Sequence, residues 1–344
     1  MSKIRGRGEA VRNFILANVK DHPGDIAKIA AEKFECSRQA IHKHIQRLVE
    51  EGAIMVSGTT RSKRYGLASL LECDITYEIV PGLAEDIVWD REVAPKLGAM
   101  ADNVKSIWYY GFTEIFNNAI DHSSGTHITV HIAKTAAETE IAIHDNGIGI
   151  FKKIQSALGL LDERHAVLEL AKGKLTTDPS RHSGEGIFFS SRMFDNFAIL
   201  SGEVYFSHHF GKKEDWIFQS RRDGGGTFVT MKLNNHTSRT TKKVFDRFSS
   251  GDDYGFTKTV VPVELAQYGD SNLVSRSQAK RMLARIEKFK VVVFDFEGVK
   301  TIGQAFADEV FRVFTLAHPH IEIEYLNANK DVSKMILRAL HHEI

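Results

Sequence analysis

The sequence predicts a multidomain α/β chain, and three observations carry that expectation. Its 344 residues exceed what a single hydrophobic core ordinarily organises, so two or three domains are expected. The first part reads helix, helix, helix, hairpin, whereas the middle combines one strong helix with alternating strands and glycine-rich turns. The last part alternates strand and helix three times. These shifts divide the chain into residues 1–68, a connector over 69–105, a domain over 106–236, a linker over 237–256 and a final domain over 257–344.

Composition narrows the classes of function. The 45 basic and 44 acidic residues leave a net charge of +1, which excludes a polycation that coats nucleic acid or membrane along its whole length. Cys36 and Cys73 are too few for a disulfide framework and lack the paired spacing of a structural zinc site, so a reducing cytoplasm is expected. The polar start MSKIRGRGEAVRN is unlike a signal peptide. No run approaches the roughly 20 apolar residues of a membrane span, so neither secretion nor membrane insertion is expected.

In the first part, SRQAIHKHIQRLVEEG predicts a helix that starts after Ser37 and stops at Gly52. Ile41, Ile45 and Leu48 form its buried stripe. That leaves Arg38, Gln39, His42, Lys43, Gln46 and Arg47 outward, all donors suited to phosphates and base edges. Next, AIMVSGTTRSKRYGL reads as two short strands around Gly58, with Arg61, Lys63 and Arg64 near the tip. The arrangement resembles a winged helix-turn-helix. Met1 to Leu67 hold thirteen Lys or Arg against seven Asp or Glu, a net +6 concentrated at one end of the chain. That charge points to DNA as a partner, with salt-dependent attraction from the basic side chains and base reading by the exposed helix face. A winged helix used for protein contacts is the alternative.

The middle carries four chemical elements. In FTEIFNNAIDHS, Glu114 and Asn118 stand at i and i+4 and project from one helix face. Asn118 suits the single protein ligand that Mg2+ commonly takes when it bridges nucleotide phosphates, and Glu114 suits a general base. In TEIAIHDNGIGI, a strand delivers Asp145 into a loop with Gly147 and Gly149, which would let a ligand approach the backbone. Asp145 could accept a hydrogen bond from an adenine amino group, whereas guanine would present a carbonyl against it. An ordinary Asp-Asn-Gly turn is the alternative. In RHSGEGIFFSSRMFD, Gly184 and Gly186 precede a helix whose N–H groups and dipole suit phosphate. The preceding KGKLTTDPSRH resembles a mobile lid. In DGGGTFVTMKL, Thr227 falls near the adenine end.

In this order the four elements resemble the N box, two glycine boxes and final Gly-Gly-Thr strand of the GHKL superfamily of gyrase, heat-shock chaperone, histidine-kinase and MutL ATPases. The resemblance implies an α/β sandwich, the Bergerat fold, with ATP and Mg2+ between a mixed sheet and helices. It also implies Asp145 on adenine, Asn118 on the metal and Glu114 as base. Glu185, between the phosphate-facing glycines, departs from the pattern by adding negative charge. His122 and His144 are read as structural.

In the last part, KVVVFDFEGVKTIGQAFADEVFRVF joins a buried strand, Val291 to Phe296, to a helix beginning near Thr301-Ile302-Gly303, and IEIEYLNANKDVSKMILRAL repeats strand then helix. With SRSQAKRMLARIEKF before it, this resembles the STAS-like domain of anti-sigma factor antagonists, implying a protein partner. In that family a serine before the helix is phosphorylated. Here Thr301 is the candidate phosphoacceptor, equally explained as a helix N-cap. Three readings follow: an ATP-responsive transcriptional regulator, an anti-sigma-type protein kinase acting on Thr301 or a partner, and a MutL-like ATP-gated clamp. Homodimerisation is left open.

Overall fold

A computed structural model describes residues 2–59, 62–176, 183–211, 216–219, 225–249, 255–267 and 272–341. The chain opens with α1 (Ser2–Asn18), α2 (Ile26–Lys33) and α3 (Arg38–Glu50), followed by β1 (Ile54–Ser57) and β2 (Arg64–Leu67). The start of α3 is set by Ser37, whose Oγ accepts from the Ala40 N–H at 3.2 Å. A cap of this kind is worth about 1 kcal/mol. Ile41, Ile45 and Leu48 of α3 are buried with Ile15, Val19 and Ile26 in a small core of their own. The strands β1 and β2 pair antiparallel, Ile54 opposite Leu67.

The second unit comprises β3 (Leu71–Glu78), α4 (Glu85–Val88), a π-helical turn over Trp89–Val93, α5 (Ala94–Leu97), α6 (Asp102–His122), β4 (His127–Lys134) and β5 (Glu138–Asp145). It continues with α7 (Ile150–Leu158), α8 (Glu163–Lys172), α9 (Gly186–Met193), β6 (Asn196–Ser201), β7 (Val204–His209), β8 (Trp216–Gln219) and β9 (Thr227–Asn234). Among the described residues the sheet has seven strands in the order β3-β4-β5-β9-β6-β7-β8. Every neighbouring pair is antiparallel, which corrects the expectation of a mixed sheet. One apolar face of α6, with Trp108, Phe112, Ile115 and Phe116, shares a core with Ile128, Val130 and Ile141 of β4 and β5.

The connector expected over 69–105 is part of this unit. Leu71 to Glu78 pair residue for residue with β4, and Tyr77 meets Phe116 edge to face at 5.5 Å. Alternating half-buried and exposed residues along β3 are the signature of an edge strand with one face on a core. The first unit rests on the β4–β5 turn, where Ala137 is buried in its small core and Leu70 donates to the Lys134 carbonyl at 2.8 Å.

The last unit follows α10 (Thr241–Asp246): β10 (Lys258–Pro262), a 3-10 turn over Val263–Ala266, α11 (Arg276–Leu283), a 3-10 turn over Ile286–Lys288, β11 (Val291–Asp295) and α12 (Gln304–Asp308). A π-helical turn over Glu309–Val313, then α13 (Phe314–Ala317), β12 (Glu322–Leu326) and α14 (Lys330–Leu340), complete it. The order β10-β11-β12 is parallel, with helical crossovers, as the strand–helix alternation requires. The stretch expected as a linker over 237–256 packs instead of merely connecting. Phe248 is buried at 4.9 Å from the Phe188 ring, Phe256 at 4.5 Å from the same ring, and Phe256 also meets Phe289 at 5.1 Å. These aromatics bury too much apolar surface to be left in a solvated linker. They fuse the second and last units into one continuous core.

Candidate functional site

A cavity of about 330 Å³ lies between the sheet and the helices of the second unit, a size at the lower end of small-ligand sites. Its wall includes Glu114, Asn118, Asp145, Gly184, Gly186 and Thr227, so six of the eight residues expected to bind or turn over nucleotide converge there. Glu114, Asn118 and His122 enter from successive turns of α6. His122 joins the wall through the same i+4 spacing that brings in Asn118, and a structural role for it stays open. His144 is exposed on the sheet, its ring 6.1 Å from that of Phe228.

Asp145 ends β5 and is only 5% exposed. One carboxylate oxygen accepts from the Gly147 N–H at 2.9 Å and the Thr227 N–H at 3.3 Å. The Thr227 hydroxyl in turn accepts from the Ile150 N–H at 3.0 Å, tying β9 to the start of α7. Burial pushes the Asp145 carboxyl above its ordinary value, and these backbone donors oppose but do not cancel the shift. The site thus holds a fixed, desolvated acceptor that the Thr227 hydroxyl also hydrogen-bonds.

Gly147 and Gly149 lie in the loop after β5, beside the wall residues Asp145 and Ile150. A Cβ at Gly147 would lie 2.0 Å from the Ser123 carbonyl oxygen. The glycine therefore lets the loop after β5 press against the end of α6, where Ile148 donates to that same carbonyl at 2.9 Å. Gly149 stands just before α7 and faces the Ser201 hydroxyl.

The other end of the cavity is built by the start of α9. Gly184 closes against Leu175, whose N–H donates to the Gly184 carbonyl at 3.0 Å. Gly186 meets Glu114 so tightly that a Cβ would lie 1.9 Å from its Oε2. The general-base candidate and the start of α9 are thus in close contact across the cavity. Glu185 does not face the wall. It is half-buried, with burial raising its carboxyl and Lys174 opposing, and together with Glu114 it adds to the burial that raises the Tyr110 phenol.

Sequence reasoning missed Lys153. It lines the cavity from α7 and donates to the His122 carbonyl at 2.7 Å, capping the end of α6 with a charge of favourable sign. Its position one turn after Ile150 in an amphipathic stretch is a usable signal for it. The expected lid, KGKLTTDPSRH, spans residues 172–182, of which 177–182 lie outside the described residues; its Leu175 and Thr176 are in the wall.

Residues expected to touch DNA are distant from this cavity in the first unit. Arg38, Gln39, His42, Lys43 and Arg47 are all exposed on α3, and Lys63 and Arg64 are exposed at the hairpin. Arg47 is also held by Glu51 through a 2.7 Å ion pair. Arg61 lies outside the described residues. Thr301 is exposed but does not cap α12, whose N-cap is Gly303. The helix starts at the end of the expected stretch Thr301–Gly303, Ile302 being engaged in a bridge to Leu273. Thr301 follows the carboxyl end of β11, whereas Lys288 and Phe289, which touch the second unit, precede its amino end. A five-residue strand, roughly 16 Å long, separates them.

Among the described residues, the Asn118 side chain offers a metal an oxygen donor, one helical turn from the Glu114 carboxylate in the wall. That fits Mg2+ held mainly by nucleotide phosphates, where it would neutralise phosphate charge.

Residues 107–237 match the family model of the histidine kinase-, DNA gyrase B-, and HSP90-like ATPases. Residues 278–333 match a second model, a STAS-like domain of unknown function. Comparison with curated proteins finds no match. The chain therefore carries a GHKL ATP-binding domain and a C-terminal STAS-like domain, as the four motifs and the strand–helix alternation indicate. No described helix is long and apolar enough to cross a membrane.

Proposed function

We propose that this chain is a cytoplasmic ATP-responsive transcriptional regulator, in which nucleotide in the GHKL cavity alters DNA binding by an N-terminal winged helix. Asp145 selects adenine, Asn118 holds Mg2+, and Glu114 activates water at the terminal phosphate. The observation that carries the reading is the unpartnered basic face of α3, with Arg38, His42 and Lys43 exposed on a unit seated directly on the β4–β5 turn of the ATP-binding domain. Strand β5 runs from that turn to Asp145, so one rigid element joins the adenine end to the seat of the first unit. The placement of Thr301 at the far end of β11 favours this reading over phosphorylation within the chain.

Electrophoretic shifts with genomic DNA fragments, with and without ATP, test the proposal. The double reversal Arg38→Glu with Lys43→Glu is expected to weaken DNA binding at least about tenfold. It should also lower the salt slope of affinity by about one per lost phosphate contact, or roughly two. DNA left unretarded by the parent chain in both nucleotide states would sink the reading. With γ-labelled ATP, persistent label on the chain that disappears in Thr301→Ala would replace it with a kinase.

A further inference from the structure

The segment that leaves α8 divides its side chains between two domains within five residues. Lys172, 2% exposed, reaches the STAS-like side, where its Nζ donates to the Ala284 carbonyl at 2.9 Å and the Arg281 carbonyl at 3.4 Å. Glu169 pairs with the same ammonium at 2.7 Å, and Arg285 stands 3.6 Å from the other Glu169 oxygen. The Lys172 carbonyl accepts from the Thr259 hydroxyl of β10 at 2.7 Å. Gly173 follows against Phe256; a Cβ there would lie 2.6 Å from its ring.

Lys174, with a φ of 52°, donates from Nζ to the Lys288 carbonyl at 3.1 Å and lies 4.9 Å from the centroid of the Phe289 ring. The contact is reciprocal, since the Lys288 ammonium donates to the Lys174 carbonyl at 3.3 Å. The next two residues, Leu175 and Thr176, belong to the cavity wall. Opposite them, Phe188 of α9 also lines the cavity and stacks at 4.5 Å on Phe256, which in turn meets Phe289. The STAS-like domain thus grips both walls of the phosphate end while contributing no described residue to the cavity itself.

We infer that Lys172 and Lys174 are positioning residues through which the STAS-like domain holds Leu175 and Thr176 in place for nucleotide, making ATP affinity and STAS-like docking one coupled equilibrium. This rests on the cavity being the ATP site. A buried ammonium held by two backbone carbonyls of the other domain tolerates little sliding, because moving it away leaves those carbonyls and all but the Glu169 side of a desolvated charge unsatisfied. A shift of the junction therefore moves the wall two residues away. By linkage, a partner that loosens the STAS-like domain weakens ATP binding, and ATP tightens the junction by the same free energy. The phosphate end is where this acts; the adenine end, fixed by Asp145 and Thr227 on the sheet, is independent of it.

Hydrogen exchange of the full chain, with and without a non-hydrolysable ATP analogue, tests the coupling. In the parent, the analogue is expected to slow exchange over Met282–Lys290, which lies outside the cavity, as well as over Asp145–Ile150. In Lys174→Met the distant protection is expected to fade while protection over Asp145–Ile150 persists, and analogue affinity should fall roughly threefold to tenfold. Lys174→Arg, which keeps the charge and donors, should retain the distant protection. Protection confined to Asp145–Ile150 in the parent, or distant protection unchanged in Lys174→Met, would overturn the inference. A parent chain that shows no analogue-dependent protection over Asp145–Ile150 would instead fail as an ATP-binding protein, and the inference would fall with that reading.

Discussion

Replacing Asp145 with asparagine is expected to lower ATP affinity by roughly ten- to 150-fold, the loss that follows from removing one charge-assisted hydrogen bond of about 1.5–3 kcal/mol. The direction follows from how the side chain is held. Its first oxygen is committed to the Gly147 and Thr227 N–H groups, and the amide oxygen of asparagine can take over that role. The amide nitrogen then faces the ligand, and two donors oppose each other where the adenine amino group arrives. Guanine presents an acceptor at the same point, so the preference for ATP over GTP should collapse or reverse. Titration with fluorescent ATP and GTP analogues measures both effects; parental ATP affinity in Asp145→Asn would overturn the adenine assignment.

Stability should move the other way. Burial raises the folded-state pKa of Asp145 above its unfolded value, so the stabilising contribution of its proton is complete below the unfolded pKa and is lost as pH rises through the folded one. At neutral pH the ionised carboxylate is therefore a cost that the ligand-free protein bears. Asparagine carries no such cost. The ligand-free variant is expected to melt no lower than the parent at neutral pH, with any advantage shrinking as pH falls into the carboxylate range. Thermal unfolding across that range provides the check.

The second large effect is expected at Gly186. An added methyl would meet Glu114 Oε2 at 1.9 Å, yet the obstacle is the end of a flexible side chain rather than backbone. The fold should therefore tolerate Gly186→Ala by turning the Glu114 carboxylate away. If that carboxylate is the base, its displacement costs turnover: Glu114→Gln is expected to slow phosphate release by about 10²–10⁴-fold, and Gly186→Ala by a large part of that. Because both substitutions remove the same group, their combination should be no slower than Glu114→Gln alone. Single-turnover phosphate release from ATP, with analogue affinity measured alongside, separates this from a binding defect. Multiplicative losses in the double variant would show that Gly186 acts through phosphate contacts instead.

Asp145 was legible because a short alternating strand followed by Asn-Gly-Ile-Gly is a local pattern. The Gly186–Glu114 contact joins α9 to α6 across most of the domain, and no spacing in the chain announces it. The same division runs through the rest of the site. Glu114 and Asn118 were placed on one face by helical period alone, whereas Lys153 became part of the wall only because α7 folds back onto the end of α6. Gly147 and Gly149 stand out in the sequence as closely spaced glycines after a strand. The reason for Gly147, close approach to the Ser123 backbone, depends on how that loop seats against α6.

By itself, then, the sequence determined what neighbouring residues decide among themselves: the Ser37 cap and apolar stripe of α3, the shared face of Glu114 and Asn118, the glycine entry to α9, and the strand–helix alternation of the last domain. Such features are set within one or two turns by hydrogen-bond satisfaction and burial period. Tertiary structure alone decided that β3 is an edge strand rather than a connector, that Phe248 and Phe256 are core rather than linker, and that Lys172 and Lys174 tie the cavity wall to another domain. Each of these is a pairing between segments far apart in the chain, governed by which apolar faces and unpaired backbone groups find each other once the sheet has closed.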